Sequence, residues 1–233
     1  MARVTLVGDM TTRNRTRARE LAAESLAQGD PTGWFETLYQ EAERGETVVP
    51  WADLRPNPNL LSFWEQDPLP TEGRTALTVG CGLGDDAEQL AAWGFETTAF
   101  DVAPSAVRAA KARFPASKVN YQVADVLSAP EEWRGKFDFV FEAYTLQALP
   151  VPVRALAMAR VAAFVKPGGV LLLIARGREE DEPEGDLPWP LTRTEIESLD
   201  QFHLRVLSIE DFVDDEDEPV RRFCALYQKP RAN

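Results

Sequence analysis

From Gly73 onward the chain alternates short apolar runs with amphipathic stretches, and this alternation narrows the fold more than any other feature. Runs of four to eight apolar residues are the length of buried strands, and helical patterns between them are what a parallel sheet needs for its crossovers. The spacing predicts strands at Ala76–Val79, Thr97–Asp101, Val119–Val123, Phe137–Phe141, Val170–Ala175, His203–Ile209 and Arg222–Gln228. It predicts helices over Asp86–Trp93, Ser105–Arg113, Val153–Val165 and Thr194–Leu199, the third with Val153, Leu156, Ala157, Val161 and Phe164 on one face. The first five strands alternate with helices and the last two are separated only by an acidic loop. The expected fold is therefore α/β: a doubly wound, mostly parallel seven-stranded sheet closed by an antiparallel hairpin.

Ahead of this core, helices are expected over Arg13–Ala27, Trp34–Arg44 and Leu60–Gln66, with breaks at Gly29-Asp30-Pro31 and at Pro50, Pro56 and Pro58. Residues 1–70 thus read as an N-terminal helical cap or lid, and 71–233 as the core, all within one domain.

Composition excludes several classes of function. No apolar run approaches the roughly 20 residues of a membrane span, and Arg13, Arg15, Arg17 and Arg19 lie in an N-terminus without the apolar stretch of a secretory signal. Cys81 and Cys224 stand far apart, which suggests neither a disulfide framework nor a metal site. A formal charge of −13 disfavours nucleic acid. The expectation is a cytoplasmic protein without membrane, nucleic-acid or metal partners. The loop Asp211–Glu218 carries only acids as charged residues, but it lacks the central glycine of a calcium loop and reads as a solvated face.

The chemistry concentrates at the strand ends. Leu77-Thr78-Val79-Gly80-Cys81-Gly82-Leu83-Gly84 sets a glycine-rich turn between a strand and a helix, at the carboxyl edge where open α/β sheets bind ligands. Asp101 ends the next strand, where a carboxylate can accept both hydroxyl protons of a ribose. Asp125 follows the strand after that, in position to read an adenine edge. Gly80, Cys81, Gly82, Asp101, Val102, Asp125 and Val126 together describe an adenosine site. Asp85 and Asp86, at the start of the following helix, would repel the pyrophosphate of a dinucleotide. They tolerate S-adenosylmethionine, which carries no phosphate and has cationic sulfonium and ammonium groups. Helix-starting acids that complement the dipole are the plainer explanation of Asp85 and Asp86, but it leaves Gly82, Asp101 and Asp125 unexplained.

With these residues in view, the sequence resembles the class I methyltransferases, and among them the thiopurine S-methyltransferase-like family with its halide and thiol methyltransferase relatives. Trp34-Phe35-Glu36-Thr37-Leu38-Tyr39 and Val49-Pro50-Trp51 look like the aromatic segment that family folds over its cofactor. Phe141-Glu142-Ala143-Tyr144-Thr145-Leu146-Gln147-Ala148-Leu149-Pro150 looks like its segment after the fourth strand, and Val165-Lys166-Pro167-Gly168-Gly169 like the turn before the fifth. The resemblance implies a Rossmann-like core that binds S-adenosylmethionine, with Trp34, Trp51 and Glu142 added to the cofactor set. It places Tyr39, Glu142, Tyr144, Gln147, Arg176 and Trp189 as candidates for the acceptor pocket. Packing of the cap is the competing reading for Trp34, Tyr39 and Trp51, and an exposed loop for Arg176, Arg178 and Trp189. Two departures stand out: Thr78 replaces a common first-strand acid, and no arginine follows the fourth strand near Ala143. The implied reaction is methyl transfer to a small, soft nucleophile; O- or N-methylation, a non-catalytic cofactor-binding module and a nicotinamide oxidoreductase are the alternatives, the last opposed by Asp85 and Asp86. His203, the only histidine, is expected to be structural.

Overall fold

The computed structural model describes the backbone of residues 4–215 and 219–231, with side chains from residue 15 on. Three helices come first, α1 (Val4–Ala27), α2 (Gly33–Glu43) and α3 (Pro58–Gln66). The core then runs β1 (Thr75–Val79), α4 (Asp85–Ala92), β2 (Glu96–Asp101), α5 (Pro104–Arg113), β3 (Asn120–Val123), β4 (Phe137–Ala143), α6 (Val151–Phe164), β5 (Val165–Arg176), α7 (Arg193–Glu197), β6 (Arg205–Val213) and β7 (Arg221–Gln228). The strands form one sheet in the order β3-β2-β1-β4-β5-β7-β6. β1 to β5 pair in parallel, and β7 runs antiparallel to both neighbours. The expected architecture is thus present, with the reversal of strand order between β1 and β4 opening the carboxyl edge.

Each face of the sheet carries its own core. On one, Val79, Leu171, Leu173, Tyr227 and their neighbours are buried under α6 and α7; on the other, Ala76, Phe139, Phe141, Leu172 and Ile174 are buried under α3 and α4. α3 starts after Asn57, whose side chain accepts from Asn59 N, and Pro58 supplies the fixed φ suited to a first helical position. Its Leu60 is fully buried, and Phe63 stacks against Phe139. α7 begins in a capping box between Thr192 and Glu195.

Four local expectations are corrected. Leu156 lies 47% exposed, because α6 turns Arg154, Ala157, Met158, Val161 and Ala162 inward instead. His203 does not begin a strand: it closes the 3-10 turn Ser198–Phe202 in the left-handed region (φ 64°), and β6 starts at Arg205. The acidic segment is not all loop, since β6 continues through Asp211 to Val213, where Asp211 and Asp214 hold Arg221 and Arg222 of β7; residues 216–218 lie outside the described chain. The segment Val165–Gly169, expected as a turn, is the irregular start of β5: Val165 pairs with Phe137 before the register shifts.

Candidate active site

The turn after β1 is held open by glycine. Gly80, Gly82 and Gly84 have φ of 60°, 51° and 92°, the left-handed region that side chains with a Cβ resist. A Cβ on Gly80 would stand 2.2 Å from Thr145 Oγ1, and one on Gly84 2.5 Å from the Tyr121 hydroxyl. Asp101, at the tip of β2, is 6% exposed and already bonded to the turn, its Oδ2 accepting from Gly82 N at 2.9 Å and its Oδ1 from Ala103 N at 2.9 Å. Burial pushes its carboxyl up to about 6.

The sheet order sets the other strand ends beside this turn. Asp125, after β3, is half-buried, and its Oδ1 accepts from Leu127 N at 2.8 Å; Val126 beside it is buried and Val102 half-buried. On the other side of β1, Val79 pairs with Glu142 of β4. Glu142 is fully buried: Oε1 accepts from Thr145 N at 2.7 Å and Leu146 N at 3.0 Å, while Oε2 has no hydrogen-bond partner. Burial pushes this carboxyl up to about 7. Along the edge the order is therefore Asp125, Asp101, the glycine turn, Glu142.

The cap meets this edge through α2. Tyr39 is buried with its hydroxyl over the turn, 3.1 Å from where a Gly82 Cβ would lie, and that hydroxyl accepts from Trp51 Nε1 at 3.1 Å. Burial and the nearby Asp101 carboxylate push its pKa up, so it stays protonated. Trp51 itself is 40% exposed and stands edge-on to Trp34. Trp34 is packed in the cap: it is 2% exposed among Ala18, Leu21, Leu38 and Leu187 and stacks on Phe35 at 3.8 Å. Of the three aromatics, Tyr39 is the one in contact with the turn.

The acceptor candidates gather past β4. Tyr144, at φ 65°, accepts from Arg222 at its hydroxyl (3.0 Å) and has that guanidinium 5.2 Å from its ring centroid. Gln147 is buried as a cross-link, its side-chain oxygen accepting from Arg176 N at 2.6 Å and its carbonyl from Trp189 N at 2.8 Å. Trp189 packs beside Leu187 and Trp34, which joins this loop to the cap, while Arg178 bonds to the carbonyls of Pro190 and Glu182. A separate cavity of about 300 Å³ between α3 and the β5-β7-β6 region is lined by residues such as Phe63, Phe212 and Cys224, none from the glycine turn. Among the described residues no cluster of His, Cys, Asp and Glu could hold a metal, and no helix is long and apolar enough to cross a membrane.

With that geometry in hand, similarity to known proteins decides the class. Residues 76–169, from within β1 through the start of β5, match the family model described as a methyltransferase domain. The chain is a methyltransferase that depends on S-adenosylmethionine. A thiopurine S-methyltransferase of Vibrio atlanticus is 26% identical over 182 residues, covering 71% of this chain and 82% of that one. A 2-heptyl-1-hydroxyquinolin-4(1H)-one methyltransferase of Mycobacteroides abscessus is 24% identical, covering 71% and 75%. The N-methyltransferase NodS of Bradyrhizobium japonicum, solved with S-adenosylhomocysteine, shares the fold at a TM-score of 0.64 and 23% identity, over 83% of this chain and 98% of that one.

In this methyltransferase several residues that sequence reasoning passed over build the site. Glu36 of α2 accepts from both Ser105 N (2.9 Å) and Ser105 Oγ (2.7 Å), locking the cap to the start of α5. Arg113 forks onto Asp85 at 2.7 and 2.8 Å, so one of the two acids argued to repel pyrophosphate is neutralised by an ion pair. Asp86 accepts from Asn57 N at 2.6 Å, and burial raises its pKa to about 6. These pairings join residues far apart in sequence and left no local signal; only the Glu36-x-x-Tyr39 spacing, which puts both side chains on neighbouring positions of one helix face, hinted at a shared surface.

Proposed function

We propose that the methyltransferase carries the methyl group of S-adenosylmethionine to a small molecule with a soft nucleophile: a thiol, thione, halide or related chalcogen species. The observation that carries the reading is the order of groups along the carboxyl edge. The cofactor is adenine, ribose and methionine in sequence, and Asp125, Asp101 and the glycine turn stand in that sequence on β3, β2 and β1. Val102 and Val126 flank the nucleoside, and Gly80, Cys81 and Gly82 let the methionine portion approach the backbone where a Cβ would intrude. S-adenosylmethionine supplies an electrophilic methyl group on a sulfonium. The chain's part is to bind it, exclude water and align the acceptor.

The acceptor then lies over β4, β5 and β7, with Tyr144, Gln147, Arg176 and Trp189 around it and Tyr39 between acceptor and turn. α1, α2 and the segment to Trp51 act as the lid, and the remainder serves as the core. The softness of the acceptor is supported by the aligned thiopurine S-methyltransferase and by the edge itself: Asp101, Asp125 and Glu142 all accept backbone N–H bonds, which suits an acceptor that arrives ready to react. The hydroxyquinolinone methyltransferase supports a second reading, transfer to the oxygen of an acidic heteroaromatic hydroxyl, which equally needs no strong base. We place the enzyme in the cytoplasm, and the net charge of −13 disfavours nucleic acid as a partner.

The test is incubation with methyl-labelled cofactor and a panel of thiols, thiones, halides, hydroxyquinolinones, phenols and amines. Turnover of thiols, thiones or halides above the rest is expected. Turnover confined to amines or unactivated phenols would overturn the soft-acceptor reading.

A further inference from the structure

We propose that Glu142 is a positioning residue that reads the positive charge of the cofactor's sulfonium, so that S-adenosylmethionine and its uncharged product S-adenosylhomocysteine are told apart by the state of one buried carboxyl. This rests on the cofactor lying along the sheet edge as proposed above. With adenine at β3 and ribose at β2, the methionine portion continues past the glycine turn of β1 toward β4. The residue there is Glu142, set beside Val79 by register.

The surroundings of Glu142 are unusual for an acid. Its neighbours in the sheet are Val79 on β1 and Leu173 on β5, both buried and apolar. Oε1 takes both N–H groups of the following turn, and Oε2 is buried with no hydrogen-bond partner. The titratable group that faces it from β7 is Tyr227, whose hydroxyl donates to Ile196 O at 2.9 Å. Arg154 on α6 is held by Glu195 and Glu184, and Arg176 at the end of β5 presents its N–H to Gln147. A carboxyl in this setting is costly to ionise until a cation comes near, which agrees with a pKa raised to about 7 by burial alone.

The turn that Glu142 holds is also a wall of the site. Thr145 donates its hydroxyl to Val79 O at 3.3 Å and fills the space beside Gly80, and Gln147 follows in the acceptor pocket. Ionised Glu142 accepts more strongly from Thr145 N and Leu146 N than the neutral acid does. A sulfonium that favours the ionised form therefore tightens the turn between cofactor and acceptor. Transfer of the methyl group removes that charge, the carboxyl recovers its proton, and the turn relaxes as product forms.

By linkage, a ligand that favours the ionised form must release protons on binding, and its affinity must rise with pH up to the pKa of the free enzyme. Calorimetry of the full chain with S-adenosylmethionine and, separately, S-adenosylhomocysteine, in two buffers of different ionisation enthalpy between pH 6 and 8, reads both quantities. The expected result is net proton release with the sulfonium compound exceeding that with the homocysteine. Their affinity ratio should shift in favour of S-adenosylmethionine by about three- to tenfold over that range; tenfold per pH unit is the ceiling for one proton. Asp101 also titrates low in this range, but both ligands carry the same ribose, so its contribution cancels in the ratio. Glu142→Gln, which keeps the shape and an acceptor for the two N–H groups, should bind both ligands with a ratio independent of pH. Equal proton release and a constant ratio in the native enzyme would overturn the proposal, as would a pH-dependent ratio that survives in Glu142→Gln. Failure of either ligand to bind would instead overturn the placement of the cofactor on which it stands.

Discussion

Asp101 bonds to the glycine turn, so it serves the geometry of the site as well as any ribose. Each oxygen takes one backbone N–H, from Gly82 and Ala103, and each retains a lone pair for a hydroxyl. Asp101→Ala should therefore weaken binding of S-adenosylmethionine by about 1.5–3 kcal/mol, or roughly ten- to a hundredfold; unchanged affinity by calorimetry would contradict the ribose role. Glu142 makes a complementary prediction about stability. Its carboxyl is raised from 4.5 to about 7 in the folded chain, so the stabilisation it contributes is full below the lower value and is lost as pH rises to the higher one. Glu142→Gln escapes that loss, about 3 kcal/mol. Urea midpoints for the variant should exceed native ones at pH 8 and draw level near pH 4; a gain independent of pH would contradict the buried charge. The difference between these two acids also marks the limit of sequence reading. Asp101 is legible because strand, turn and acid fall at a recognisable spacing, whereas the solitude of Glu142 Oε2 depends on how β5 and β7 close over it.

At the level of elements, the two pairings in the terminal hairpin separate a surface contact from a buried one. Arg221 and Asp211 are each about a quarter exposed, with side-chain values of 23% and 26%, while Arg222 and Asp214 are at 6% and 12%. Asp211→Ala should cost under about 1 kcal/mol. Asp214→Ala should cost about 3 kcal/mol, because it strips a carboxylate from a buried guanidinium, and should disturb the acceptor side through the Arg222 bond to Tyr144. Equal losses in urea denaturation would show that burial does not govern the pair. The sequence announced a hairpin here, since two apolar runs flank one acidic stretch, but it could not show that Asp211 and Asp214 serve β7, because an acidic run looks alike whether solvated or facing two arginines. Likewise α3 was legible as a helix but not as a cover: Leu60, Phe63 and Trp64 pack on the face formed by Phe95 and Phe139, contacts between parts of the chain that only the sheet brings together.

For the molecule as a whole, that packing of α3 fixes where a lid can be separated from the core. Cutting at Leu69 would bare the face under α3, whereas a chain beginning at Arg55 loses only α1, α2 and the aromatic segment through Trp51. Such a chain should unfold cooperatively yet bind cofactor at least about tenfold more weakly, since it lacks Tyr39 over the turn and Glu36 on Ser105; native affinity would refute the lid. The placement of titratable groups across the fold leads to a last expectation, about where the reactivity of the nucleophile comes from. His203 lies just before Arg205, which pairs with Gln228 and through it with Val170, at the amino edge of the sheet, opposite the glycine turn. At the carboxyl edge Asp101, Asp125, Asp86 and Glu142 each hold a backbone N–H, and Tyr39 is kept protonated by burial. With the soft acceptor proposed above, no enzyme group need remove a proton, and the rate should follow the ionisation of the acceptor. Profiles of kcat/KM against pH for two thiols whose pKa values differ by about two units, more than the typical protein-induced shift of about one, should then be displaced from each other by about that interval. Superimposable profiles, or a folded His203→Gln enzyme without turnover, would place an obligatory base in the protein and move the chemistry away from the acceptor.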